Sequence, residues 1–208
     1  MSEPETRAME VETVVPGLLR WRIHDERIDW HSDAGAVMEG GRSILIDPLP
    51  LDDVALTALG KVEAICLTAG GHQRAAWSLR KKLGAKVYAP AGADGLDEKP
   101  DATFSEGGVL PGGLRAIHSP GIHEASYAFL ARHGGGTLFC GDILVREGDN
   151  LEFVPDRYLE DRSKPRKSAR KFLELKFQIL FSAHGDPITS GAHKAIRQLL
   201  EEDAASRR

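Results

Sequence analysis

The 208-residue sequence has little of what secreted and membrane proteins need. It contains only two cysteines, Cys66 and Cys140, and both lie in apolar runs, which favours reduced core thiols over a disulfide. No stretch approaches the roughly 20 apolar residues that span a bilayer, so we expect no membrane contact. Residues 1–12 are acidic and lack the basic start and apolar segment of a secretory signal. We therefore expect a cytoplasmic protein.

The sequence also lacks a basic excess. Its formal net charge is −4, which argues against a nucleic-acid partner, because phosphate contacts need a basic surface. Residues 162–171 do hold six basic side chains, and we interpret this basic run as a solvated connection and helix start rather than an anion-binding patch. There is no internal repeat and no biased linker. We therefore expect one domain over residues 1–208, with loose ends at 1–12 and 203–208.

Apolar periodicity predicts alternating strands and helices. Residues 63–68 and 85–90 are typical of buried strands, and the segment between them, 75–84, is typical of a helix that stops at Gly84. This β-α-β unit implies parallel pairing with a helix cover. Further on, we expect an exposed connection at 147–166 and a helix at 169–176. The pattern favours two packed sheets with helices outside.

Five short segments, in order, resemble motifs of the metallo-β-lactamase superfamily. The segments are ILIDPLP (44–50), ICLTAGGHQR (65–74), HSPGIHEASYAFL (118–130), LFCGD (138–142) and FSAHGDP (181–187). They are similar to L-I-D-P-G, T-H-x-H-x-D-H, T-P-G-H-T-x-G-S, F-x-G-D and x-x-H-G-x-P. The resemblance covers roughly residues 35–190. It implies an α+β fold, the four-layer αββα sandwich of that superfamily.

The resemblance also implies chemistry. In this family two zinc ions lie between the sheets, and the metal-bound water attacks an ester, thioester, amide or phosphodiester. Carried over residue by residue, five of the seven ligand positions hold other residues here. These are Ala69, Gly71, Gln73, Arg74 and Ile122. The bridging aspartate is present as Asp142 and the last histidine as His184, whereas Asp47 corresponds to an aspartate that braces the site and binds no metal.

Two interpretations of the altered site stay open at this point. His72 and His123 each lie one residue from a ligand position, so with Asp142 and His184 they give a tentative four-ligand set for one metal. The alternative is that both are solvated, and we prefer it. A separate hypothesis holds that no metal binds. On this hypothesis Arg74 or a nearby cation pairs with Asp142 and supplies the missing positive charge, with Gln73 beside it in the pocket.

Three functional hypotheses follow. The chain is a divergent single-metal hydrolase in which Asp142 and His184 are catalytic, or a metal-free relative that binds a small molecule, or an interaction protein that uses the fold as a scaffold. An ordinary two-zinc mechanism is disfavoured by the replaced ligands. At most one divalent metal, zinc, iron or manganese, is expected, and none under the second and third hypotheses. The sequence does not indicate the substrate or the oligomeric state.

Overall fold

The computed structural model describes residues 3–206 and contains two large β-sheets, a separate β-hairpin and four α-helices. The strands are β1 (Glu12–Val15), β2 (Leu18–Asp25), β3 (Trp30–Glu39), β4 (Arg42–Ile46), β5 (Lys61–Cys66), β6 (Lys86–Pro90), β7 (Ala102–Phe104), β8 (Arg115–His118), β9 (Tyr127–Ala131), β10 (Thr137–Phe139), β11 (Leu144–Glu147), β12 (Asn150–Phe153) and β13 (Ile179–Phe181). The helices are α1 (Asp53–Leu56), α2 (Ala76–Leu83), α3 (Ser163–Phe172) and α4 (Ala192–Ser206).

The seven-stranded sheet follows chain order from β1 to β7. Its first four strands pair antiparallel through short turns, and β4 to β7 pair parallel. Parallel neighbours need a crossover, which α1 provides between β4 and β5 and α2 provides between β5 and β6. Gly84 ends α2 in the left-handed conformation, at φ 68°. The predicted β-α-β unit is confirmed.

The four-stranded sheet has the order β13-β10-β9-β8. Strands β8, β9 and β10 are antiparallel, and β13 joins β10 in parallel. Three apolar clusters divide the molecule into layers. One lies between the two sheets and includes Phe129, Phe139 and Phe181. The second lies under α1 and α2, and the third under α3 and α4. The order helix, sheet, sheet, helix is the expected αββα sandwich.

The structure differs from the sequence predictions at both chain ends. Within the predicted loose end 1–12, Ala8 is buried and its backbone bonds to Pro50 and Asp52, so this segment packs on the domain. Residues 203–206 continue α4. Residues 1, 2, 207 and 208 lie outside the described residues. The predicted ends were wrong where they are described, because isolated apolar residues such as Ala8 carry no periodic signal.

The segment after β10 also differs from the prediction. Instead of a bare connection, residues 147–166 contain β12, which pairs with β11, and the first turn of α3. The helix expected at 169–176 therefore begins earlier, at Ser163, and ends at Phe172. The polar sequence concealed it because its charged side chains bind neighbouring elements: Arg166, for example, forms a bidentate pair with Asp203 of α4. Within residues 3–206 no helix is long and apolar enough to cross a membrane.

Both sheets direct the ends of key strands to one edge of the sandwich. Asp47 follows β4, and the segment Thr68–Arg74 follows β5, which is parallel to β4. On the second sheet, Asp142 follows β10 and His184 follows β13, again a parallel pair. Because parallel strands end at the same edge, side chains that are far apart in sequence meet there. The candidate site is built at this edge.

Candidate functional site

His72 lies at the centre of the site, between two carboxylates. Its Nδ1 is 2.9 Å from Oδ2 of Asp47 and 2.8 Å from Oγ1 of Thr68, and its Nε2 is 2.7 Å from Oδ2 of Asp142. An ionised carboxylate only accepts hydrogen bonds, so both ring nitrogens must carry hydrogen for both contacts to form. The arrangement therefore holds His72 as an imidazolium, and we call Asp47, His72 and Asp142 the ion triad.

The pKa shifts of His72 and Asp142 follow from this geometry. Burial by itself lowers the pKa of His72, but the charges of Asp142 and Asp47 outweigh burial and raise it to about 9. Burial likewise raises the pKa of Asp142, yet His72 and His184 hold it well below its ordinary value. Arg74 is near enough for its charge to lower the pKa of His72. Two carboxylates and two cations thus balance one another inside the protein.

Thr68 and Asp47 fix the position of His72. The Thr68 hydroxyl donates to Oδ2 of Asp47 at 2.5 Å, and the Thr68 amide donates to Oδ1 of the same carboxylate at 2.7 Å. Asp47 itself has a left-handed backbone, at φ 48°. Such conformations are strained in non-glycine residues and persist where the surroundings impose them. The resemblance assigned Asp47 a bracing role, and here the residue it braces is His72.

His184 contacts the ion triad from the second sheet. Its Nε2 is 3.3 Å from Oδ1 of Asp142, within ion-pair distance but without hydrogen-bond geometry, so this buried oxygen has no hydrogen-bond partner in residues 3–206. Its Nδ1 donates to the carbonyl oxygen of His31 at 2.7 Å. The ring of Trp30 stacks on the His184 ring, with centroids 4.7 Å apart and planes 3° apart. Trp30 and His31 of β3 therefore orient His184.

Asp33 is a site residue that the sequence analysis missed. Its side chain is fully buried, and its carboxylate accepts from the Gly185 amide at 2.8 Å and from Nε of Arg20 at 2.6 Å. It thereby fixes the turn that carries His184. The sequence did contain a signal for this role. Asp33, Gly35 and Val37 alternate along β3 and therefore face the interior together, and a charged side chain on a buried face needs a partner. Its partners come from distant segments and could not be assigned.

Gln73 and Arg74 do not occupy the roles proposed for them. The Gln73 side chain binds the loop after β6: its Nε2 donates to Gly95 O at 2.9 Å, and its Oε1 accepts from the Asp97 amide at 2.7 Å. Nη1 of Arg74 donates to the backbone oxygens of Asp33 and Asp47, at 2.9 and 3.2 Å. The hypothesis named Arg74 or a nearby cation as the partner of Asp142. Arg74 is not that partner, because its guanidinium is engaged by main-chain carbonyls, whereas the nearby His72 does pair with Asp142.

A small cavity lies beside the ion triad. It leaves about 10 Å³ for the centre of a water molecule, which is room for about one water. His123 is exposed at its rim, close enough to Gly71 that a Cβ built there would be 3.5 Å from His123 Nε2. The lining residues are Thr68, Ala69, His72, Ile122, His123, Ser126, Tyr127, Cys140, Gly141, Asp142 and Ile143. A substrate of ordinary size does not fit in this cavity.

The residues present do not fit the two-metal centre that the resemblance implies. Ala69, Gly71 and Ile122 offer no side-chain donor atom to a metal. His72 cannot ligate while both of its nitrogens donate to carboxylates, since a metal binds the lone pair of a neutral imidazole. Within residues 3–206, no group of three or more histidine, cysteine, aspartate or glutamate side chains is arranged to hold a metal ion.

Comparisons with known proteins agree with this architecture. The family model of the metallo-beta-lactamase superfamily matches residues 12–201. The metallo-β-lactamase FIM-1 from Pseudomonas aeruginosa, solved in its mono-zinc form, superposes with a TM-score of 0.71 at 16% identity, covering 96% of this chain and 98% of that one. A metallo-β-lactamase from Erythrobacter litoralis gives 0.68 at 15% identity, covering 96% and 95%. At these identities the likeness shows the fold alone.

One curated relative matches a segment of the chain. The beta-lactamase-like protein 2 homolog of Drosophila melanogaster is 36% identical over 75 residues. That segment is 36% of this chain but only 23% of the length of the fly protein. The match therefore says nothing about the remainder of the fly protein.

Proposed function

The chain belongs to the metallo-β-lactamase superfamily, and we propose that it is a metal-independent member in which the His72 imidazolium replaces the metal centre. One observation carries the proposal: His72 bridges Asp47 and Asp142 through both ring nitrogens. In a metal-dependent relative, the Asp142 position supplies a carboxylate to the cation. Here a protein cation satisfies the same carboxylate, so the fold keeps its charge balance without an added ion.

The residues at the replaced ligand positions also support this proposal. Gly71 and Ile122 carry no donor, and the side chains of Gln73 and Arg74 are committed to neighbouring loops and carbonyls. The altered residues are thus integrated into packing and hydrogen bonding. On this proposal the protein does not hydrolyse substrates through a metal-bound hydroxide, and it acts as a small-ligand-binding or interaction protein.

A chemical rescue tests the central claim. In His72→Gly the two carboxylates lose their shared cation, and we expect a loss of about 3 kcal/mol in the free energy of unfolding, as for breaking a buried ion pair. Added imidazole should then enter the vacated space and raise the melting temperature with its concentration, because a ligand that binds only the native state stabilises it. His118→Gly, which removes a histidine outside the ion triad, is the control and should show no such recovery. If His72→Gly does not fold, His72→Gln provides the stability comparison.

Metal analysis distinguishes the single-metal hydrolase from this proposal. Wild-type protein purified without chelator should contain far less than one metal ion per chain, and added zinc should leave its melting temperature unchanged. About one zinc, iron or manganese per chain, lost on Asp142→Ala, would support the hydrolase instead.

A further inference from the structure

One wall of the cavity is formed by a loop between β8 and β9, residues 119–126, which we call the site loop. A hydrogen bond from the Ser119 amide to the Ser126 carbonyl, 2.9 Å long, closes its base. Its inner side contributes Ile122, His123 and Ser126 to the cavity lining. Gly121 packs so closely on the neighbouring segment that a Cβ built there would be 2.6 Å from Cδ1 of Ile143. The site loop therefore packs closely along one side of the cavity.

The outer side of the site loop is fastened to α3. Nζ of Lys164 donates to Oε2 of Glu124 at 2.8 Å, and Oγ of Ser168 donates to the Pro120 carbonyl at 2.9 Å. One turn further along, Nζ of Lys171 donates to the carbonyl of His118, immediately before the loop, at 3.1 Å. Residues spaced by four and three positions lie on one face of a helix. This face accounts for part of the basic run at 162–171.

These fastenings are weaker than the packing beneath them. The side chains of Lys164 and Glu124 are 33% and 70% exposed, and ion pairs in such positions contribute little because water screens them. The sheets below are held by continuous apolar clusters and strand pairing. Segments with few buried apolar contacts open at a lower free energy than the whole fold. The site loop is such a segment.

We propose that the site loop is a lid over the cavity and that Lys164, Ser168 and Lys171 form the latch that keeps it closed. With the lid closed the cavity has room for about one water. With the lid open, the edge of the ion triad and the neighbouring Cys140 face solvent. The inference concerns access to the cavity and does not depend on whether the site binds a metal.

The two cysteines offer a matched pair of reporters. Cys140 lines the cavity under the lid, at the edge of the apolar cluster beneath α3 and α4, whereas Cys66 lies on β5 in the core between the sheets. Both thiols are buried; burial raises the pKa of Cys140 to about 12 and raises that of Cys66 as well. Neither reacts without an opening of the structure. Labelling of native protein with iodoacetamide, read for each cysteine by peptide mass spectrometry, measures lid opening at Cys140 and global unfolding at Cys66.

Loss of the latch should change only one of the two rates. In Lys164→Ala/Lys171→Ala we expect Cys140 to label about threefold to tenfold faster, as for the loss of one partly exposed ion pair and one hydrogen bond, with the Cys66 rate unchanged. Lys167→Ala removes an exposed charge from the same helix and should leave both rates as in wild type. The conservative variant Lys164→Arg/Lys171→Arg should keep Cys140 protected. High salt should accelerate Cys140 in wild type and have less effect on the double alanine variant.

Three results would overturn the proposal. If the rates at Cys140 and Cys66 rise together, the lysines stabilise the whole fold and there is no separate lid. If neither rate changes in the double alanine variant, or if Lys167→Ala has the same effect, the Lys164–Lys171 face of α3 is not a latch. None of these results bears on the imidazole and metal experiments, so the two proposals fail independently.

Discussion

The ion triad predicts an unusual dependence of stability on pH. The pKa of His72 is about 9 in the folded protein, against an ordinary value of 6.5. A histidine whose pKa is raised on folding stabilises the native state fully below its unfolded pKa, and that contribution is lost as the pH rises through the folded pKa. The free energy of unfolding should therefore fall between pH 6.5 and about pH 9, in a range where most proteins change little.

The magnitude follows from the size of the shift. At about 1.4 kcal/mol for each pKa unit, the raised pKa of His72 corresponds to about 3 kcal/mol of stability. A typical domain is stable by only 5–15 kcal/mol in total, so the loss is a large fraction of the whole. The pKa of Asp142 lies well below its ordinary value, so this carboxylate stays ionised across the range, and the change therefore belongs to the imidazolium.

Urea unfolding at fixed pH values from 6 to 10 measures the effect, with His72→Gln as reference. The variant keeps the side-chain volume but carries no charge, so the difference between the two proteins removes the contribution of all other titrating groups. We expect that difference to decrease by about 3 kcal/mol between pH 6.5 and 9 and to be flat above. A difference that stays constant from pH 6 to 10 would mean that His72 is neutral in the folded protein, and the replacement of a metal by an imidazolium would then be refuted.

Two further predictions concern elements around the site. Asp203→Ala removes the bidentate partner of the Arg166 guanidinium, whose side chain is only 8% exposed. Urea unfolding should show that the free energy of unfolding falls by about 3 kcal/mol, whereas Glu201→Ala, on the exposed face of the same helix, should change it little. Gly70→Ala places a Cβ 2.3 Å from the Asp94 carbonyl oxygen; thermal unfolding should show a loss of about 2 kcal/mol from overpacking, and an unchanged melting temperature would mean that the loop after β6 does not pack on this turn.

The layered fold was predictable from sequence because its determinants are local. Apolar runs at 63–68 and 85–90 around a helix impose parallel pairing, and the ordered motif segments place their loops at one edge of two sheets. The loss of metal donors was equally visible, since alanine, glycine and isoleucine cannot ligate in any conformation. What periodicity could not detect were irregular or polar elements, such as the packed segment around Ala8 and the early start of α3 at Ser163.

Tertiary structure decided which cationic side chain lies beside Asp142. The sequence favoured Arg74, because this residue carries a permanent charge and stands at a ligand position of the family motif. It argued against a place for His72 in the site, because a shift of one residue in an extended segment turns the side chain to the opposite face. The segment from Gly70 to His72 is instead a 3-10 turn, in which each residue rotates the side chain by about 120°. That rotation directs His72 between Asp47 and Asp142.

The sequence by itself thus determined the sandwich and showed which positions of the two-zinc motif hold other residues. Only the folded chain decided which side chains meet in its place, because Asp47, His72, Asp142 and His184 lie on loops after four different strands. Their hydrogen bonds depend on the relative position of two sheets, and no local pattern encodes that position.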